Sequence, residues 1–88
     1  MKTAKQLERY FKGTANYHRI NILVLVAHSK DVTVDGIAVA LNGNFKTISE
    51  HTRKLVQAGL LNKRYQGTSV LHSLSPYGKK FLKFIKSF

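Results

Sequence analysis

Cysteine is absent from this chain of 88 residues, which excludes disulfides, thiolate metal sites and cysteine nucleophiles and leaves the redox compartment open. Acidic residues are scarce, four Asp and Glu in all. With no activated nucleophile pattern and no Gly-rich phosphate loop, catalysis finds no support, so neither an enzyme nor a cofactor is expected. Long apolar runs are missing as well. The longest, Ile22 to Ala27, is far too short to span a bilayer, and Met1 to Lys12 lacks the apolar core of a signal peptide. A soluble, intracellular protein without a membrane partner is expected. Proline occurs once, as Pro76, behind a serine and well suited to a first helical position. Repeats, low-complexity tracts and linkers are absent, and the length predicts one domain, residues 1–88, with a small core.

What is abundant is positive charge: 15 Lys and Arg give a net +11. Its placement matters more than its size. Residues 1–20 carry five basic residues and one acidic, residues 45–69 again five and one, and residues 70–88 four basic residues alone. Residues 21–44 carry one basic residue against two acidic. A polyanion is the natural partner, because cations that neutralise phosphates release condensed counterions. DNA, RNA and an anionic membrane all meet that requirement. His18, His28, His51 and His72 lie on different elements without carboxylate or thiolate neighbours at ligand spacing, so structural or surface roles are expected and no metal.

Hydrophobic periodicity supplies the elements. Lys2 to Lys12 reads as a helix with Leu7, Tyr10 and Phe11 on one face, interrupted at Gly13-Thr14, where Thr14 is placed to cap the next helix. Ala15 to Ser29 reads as a helix apolar on nearly every side, hence surrounded by the rest of the protein; a buried strand competes, given its Ile and Val content. Ser29-Lys30-Asp31 is a turn. Val32-Thr33-Val34 suits either a short strand or the lead into a helix over Val34 to Leu41. Beyond residue 59, Leu60 to Tyr65 and Ser69 to Leu74 read as a hairpin. Leu61, Tyr65, Val70, His72 and Leu74 are the candidates for its packed sides. From Ser75-Pro76 a last helix sets Tyr77, Phe81, Phe84, Ile85 and Phe88 against Lys79, Lys80, Lys83 and Lys86.

Residues 45–59 organise the rest. At ~100° per residue, Phe45, Ile48, Thr52, Leu55, Val56 and Gly59 fall in one arc, opposite a stripe of Lys46, Ser49, Glu50, Arg53 and Gln57. Asn42-Gly43-Asn44 forms the turn before it, with Asn44 as cap, and Gly59 suits the left-handed residue that closes a helix. Helix, tight turn and a second helix with a polar, cationic outer face make a helix-turn-helix. A merely solvated charged face is the competing reading of that stripe.

The stretches Arg19 to Val26, Asp35 to Leu41, Thr47-Ile-Ser-Glu-His-Thr-Arg-Lys-Leu-Val-Gln-Ala-Gly-Leu60 and Lys63-Arg-Tyr-Gln-Gly67 resemble the ArsR-type winged-helix regulators over roughly residues 15–74. Thr47 to Leu60 carries the most specific part, the Thr-aliphatic-Ser-x-His spacing and the terminal Ala-Gly-Leu. The resemblance implies a mainly α fold with a small β-hairpin: a helix-turn-helix at about 34–59, a wing at about 60–74 and a C-terminal dimerisation helix at about 75–88. It further implies a homodimer on double-stranded operator DNA, cytoplasmic and nucleoid-associated. Carried over, Lys46, Thr47, Ser49, Glu50 and Arg53 are the base-reading candidates, while Lys54, Lys63, Arg64, Gln66 and Thr68 are phosphate candidates. Leu7, Tyr10, Phe11, Tyr77, Phe81, Phe84, Ile85 and Phe88 are the dimer-face candidates, with packing of the two terminal helices on each other as the alternative.

Departures from the family pattern are equally legible. The positions of a metal-sensing thiolate pair hold Thr33 and Asp35, and the last helix lacks the Asp and His of a second familiar site. Thr52 stands where Leu is usual, and Glu50 puts an anion where a cation is common. A sensor function therefore does not transfer with the fold. Two rival functions stay open: a nonspecific architectural DNA binder, and a protein-interaction module built on a winged helix.

Overall fold

A computed structural model describes all residues, 1–88. The elements are α1 (Ala4–Thr14), α2 (Tyr17–Ala27), α3 (Val34–Leu41), α4 (Phe45–Gln57), β1 (Leu61–Gln66), β2 (Ser69–Leu74) and α5 (Pro76–Lys86). Mainly helical, with one antiparallel hairpin, this is the expected class and order.

Each helix begins on a side chain that satisfies a free N–H group. Thr3 and Gln6 cap α1 reciprocally, Thr3 Oγ1 accepting from Gln6 N at 3.2 Å and Gln6 Oε1 from Thr3 N at 2.9 Å. Thr33 accepts from Gly36 N at 3.1 Å, Asn44 from Thr47 N at 3.1 Å and Ser75 from Gly78 N at 2.9 Å. The expected break at Gly13-Thr14 does not occur, since α1 runs through both residues. A Cβ on Gly13 would lie 2.5 Å from Ala58 Cβ, so the glycine permits α1 to press on the end of α4 rather than ending a helix. Thr14 turns its hydroxyl back to Phe11 O at 3.0 Å, and Asn16 takes the cap of α2, accepting from His18 N at 2.9 Å.

The strand alternative for α2 is ruled out: it is a helix, with Ile22, Leu23 and Val26 buried, packed against α1, α3, α4, α5 and β2. Val32-Thr33-Val34 serves both of its suggested roles. Val32 pairs with His72 through backbone hydrogen bonds of 3.2 and 2.8 Å, and Thr33 caps α3. Asn42, left-handed at φ 51°, ends α3, and Gly59 at φ 80° follows α4. Ser75 also donates to Gly59 O at 2.6 Å, fixing the start of α5 to the close of α4.

In the hairpin, Leu61 faces Leu74 and Gln66 faces Ser69. Only its base enters the core, through Leu60, Leu61 and His72. Tyr65, expected on a packed side, is 68% exposed, because the two-stranded ribbon has left the helices behind by that register. Phe45 departs from expectation in the same way. It shares the angular position of buried Ile48 but is 53% exposed, since the first residue of α4 projects beyond the core. No helix is long and apolar enough to cross a membrane.

Candidate nucleic-acid interface

The outer stripe of α4 stands in solvent. Lys46, Thr47, Glu50, Arg53 and Lys54 are exposed and Ser49 is half-buried, while Ile48, Thr52 and Leu55 anchor the opposite face. Thr52, polar in a core position, satisfies its hydroxyl by donating to Ile48 O at 2.7 Å. Glu50 and Arg53 form a two-pronged ion pair, one prong Nε to Oε2 at 3.4 Å. That bond is the main reason the Glu50 carboxyl titrates below its ordinary range. An exposed pair of this kind adds little stability, and it leaves the Arg53 guanidinium engaged within its own helix.

The hairpin flanks this stripe. Ser49, Arg53, Lys63 and Tyr65 line one cleft of about 430 Å³ between α4 and the ribbon, with the Lys63 ammonium 5.8 Å from the centre of the Tyr65 ring. Thr68 at the tip shares a neighbouring hollow with Phe45, Thr33 and Asp35. Gln66 is exposed at the tip. Arg64 is tied to Asp31 across 2.8 Å, so one wing cation is already engaged with the left-handed turn after α2. Lys54 lies apart from these groups, on the other flank of α4 beside Arg9, Lys12 and Arg19.

Arg19 escaped the sequence reading. Its Nε donates to His51 Nδ1 at 3.2 Å and its Nη1 to Lys12 O at 3.1 Å, joining the end of α1, the start of α2 and the middle of α4. Burial, followed by the charge of Arg19, pushes the His51 imidazole below its ordinary 6.5, in keeping with a lone pair on Nδ1. His18 stacks on His51 with ring centres 5.1 Å apart. The histidines are thus less scattered than expected, since His18 lies in α2 and His28 caps the same helix. No group of three or more His, Cys, Asp or Glu is gathered anywhere, and the Thr33 hydroxyl is engaged as a helix cap.

The terminal helices carry the second candidate surface. Tyr10 meets Tyr77 at 4.9 Å between ring centres and Phe11 meets Phe81 at 5.1 Å, so α1 and α5 do pack on each other. Tyr10 is only 8% exposed and belongs to the core. Phe81 and Ile85 also rest partly on the core. Phe11, Phe84 and Phe88 stay exposed at 51, 51 and 92%, and the first two line a hollow of about 280 Å³ between the two helices.

Residues 17–63 match the profile of a family described as "Bacterial regulatory protein, arsR family". Among solved structures, the chain is similar to a homodimeric winged helix-turn-helix DNA-binding domain from Mycobacterium bovis, a possible ArsR-family transcriptional regulator. The identity is 27% and the TM-score 0.84, over 94% of this chain and 77% of that one. It is also similar in fold to HlyU from Vibrio cholerae (23% identity, TM-score 0.81, covering 93% of this chain and 86% of that one). NolR from Sinorhizobium fredii shares the fold as well (21%, 0.84, covering 96 and 84%). No curated protein matches the sequence.

Proposed function

The chain belongs to the ArsR family of bacterial regulatory proteins, and from that premise we propose that it acts as a homodimeric, sequence-specific regulator on double-stranded DNA. In this reading residues 1–88 form one domain, α4 enters the major groove, and the hairpin lies on the backbone or minor groove. The observation that carries it is the outer face of α4: a polar stripe bearing Lys46, Arg53 and Lys54 with one anion, Glu50, paired to Arg53, seated by Ile48 and Leu55 and flanked by a basic ribbon. A major groove admits a helix of this kind and presents base edges that Arg, Lys, Ser and Thr can read.

Within this proposal Lys46, Thr47, Ser49, Glu50 and Arg53 read bases. Lys54, Lys63, Arg64, Gln66 and Thr68 hold phosphates and so fix register. Arg64 contributes by exchanging its Asp31 partner for a phosphate, which makes it the weaker of the two wing cations beside Lys63. The exposed rings of α1 and α5 supply the two-fold interface, Phe11, Tyr77, Phe84 and Phe88 at its outside and Leu7, Phe81 and Ile85 beneath. The homodimeric Mycobacterium bovis domain supports that arrangement by likeness. Two recognition helices then meet half-sites about one helical turn, ~34 Å, apart. A cytoplasmic, nucleoid-associated protein follows from such a partner.

The experiment is selection from a random duplex pool at about physiological salt, where unspecific attraction is already weakened. Enrichment of a two-fold repeat is expected, and Arg53→Ala should lower affinity for the enriched duplex by ~5- to 150-fold, about 1–3 kcal/mol, while relaxing one base position. Retention without an enriched sequence overturns sequence specificity and leaves an architectural binder. No retention removes DNA as the partner.

A further inference from the structure

The flank of α4 that faces away from the hairpin is as cationic as the wing. Arg9 and Lys12 from α1, Arg19 from α2 and Lys54 from α4 converge on a cleft of about 250 Å³, with Gln57 on its rim. Gln57 also borders the cleft between α4 and the hairpin, so the two hollows run along opposite flanks of one helix. Arg9 and Lys54 take part in no ion pair, and Lys12 is matched only by a loose contact with Glu8 at 3.6 Å, both side chains more than half exposed. Arg19 is anchored by its bonds to His51 and to the Lys12 carbonyl, which leaves its charge at the cleft in a fixed position. Like charges held together this way repel one another, and a bound anion removes the repulsion.

A helix lying in a major groove runs between two walls of phosphate, one from each strand. The hairpin can meet only one of them. We propose that the cleft formed by Arg9, Lys12, Arg19 and Lys54 binds backbone phosphate of the opposite wall, so that α4 is held from both sides. The proposal rests on the DNA-binding reading above and adds α1 and α2 to the contact surface.

The test uses the full chain and measures duplex affinity against salt concentration for the enriched duplex and for an unrelated one. Arg9→Gln with Lys12→Gln removes two cations from exposed helical positions that glutamine tolerates. Lys54→Gln removes one from the other wall of the cleft. Lys83→Gln with Lys86→Gln on α5 removes the same charge as the first variant from elsewhere. Each lost phosphate contact lowers the slope of log K against log salt by about 0.9. The cleft double variant should therefore lose about 2 in slope per protomer, and Lys54→Gln about half that. Both duplexes should weaken alike, and the enriched sequence should not change. The α5 variant should retain most of the wild-type slope. An unchanged slope in both cleft variants overturns the proposal, as does an equal loss in the cleft and α5 double variants. If Arg53→Ala relaxes one base position as expected while the cleft variants behave as wild type, the cleft alone is wrong. If the wild-type chain retains no duplex, the DNA reading falls and the cleft falls with it.

Discussion

Phe45 and Ile48 stand three residues apart on one face of α4, yet one is 53% exposed and the other 2%. Their energetic weights should differ accordingly. Ile48→Ala removes a fully packed side chain and should cost 2–5 kcal/mol in chemical denaturation, from lost transfer energy and the cavity left behind. Phe45→Ala removes a larger side chain but should cost about 1 kcal/mol or less, because much of that ring is already in water. Equal losses would show that the start of α4 is packed more tightly than its exposure implies. The Glu50–Arg53 pair belongs to the same scale. Its members stand three residues apart on one helix, a spacing at which side chains meet and which the sequence alone displays. Arg19 was not legible, because its partner His51 is 32 positions away and no local pattern links them.

At the scale of elements, local chemistry and close packing make different demands on the same residue. Within α1, Gly13 lowers helix propensity by about 1 kcal/mol relative to alanine, so Gly13→Ala should stabilise an isolated helix. In the protein the new Cβ would stand 2.5 Å from Ala58 Cβ, an atom fixed to the backbone that cannot rotate away. Overpacking of this kind costs typically 1–3 kcal/mol, which outweighs the propensity gain. The expected result is a lowered Tm; a raised one would mean that α1 shifts off α4 without loss. The misplaced helix break at Gly13-Thr14 has this same origin, since glycine signals a terminus from sequence and a close approach from structure. The Asn44 cap involves a partner three residues on, which is why the start of α4 was readable in advance, as the start of α5 was from Pro76.

At the scale of the whole molecule, charge surrounds α4 and also borders the exposed aromatic surface, where the Lys2 and Lys80 ammoniums lie 5.1 and 5.3 Å from the centre of the Tyr77 ring. The cations gather around both flanks of α4 and along α5, while the central helices α2 and α3 carry almost none. The exposed rings gather where α1 meets α5. Phe84→Gln with Phe88→Gln leaves the net charge unchanged and removes two rings that are 51 and 92% exposed. Thermal stability measured at low protein concentration should change little, while sedimentation should shift from dimer to monomer. Affinity for a two-fold duplex should fall with it, because one protomer then grips one half-site alone. An unchanged sedimentation coefficient would place the dimer interface elsewhere. By itself the sequence determined the order of the elements, the cap of α4, its polar stripe and the surplus of positive charge. These depend on periods and hydrogen bonds that close within about four residues, or on composition alone. Only the tertiary structure decided that Tyr10 is core while Phe84 is surface, that Arg64 meets Asp31 from 33 residues away, and that Arg9, Lys12, Arg19 and Lys54 share one cleft. Those relations arise when elements distant in the chain pack across one another, and they leave no period in the sequence.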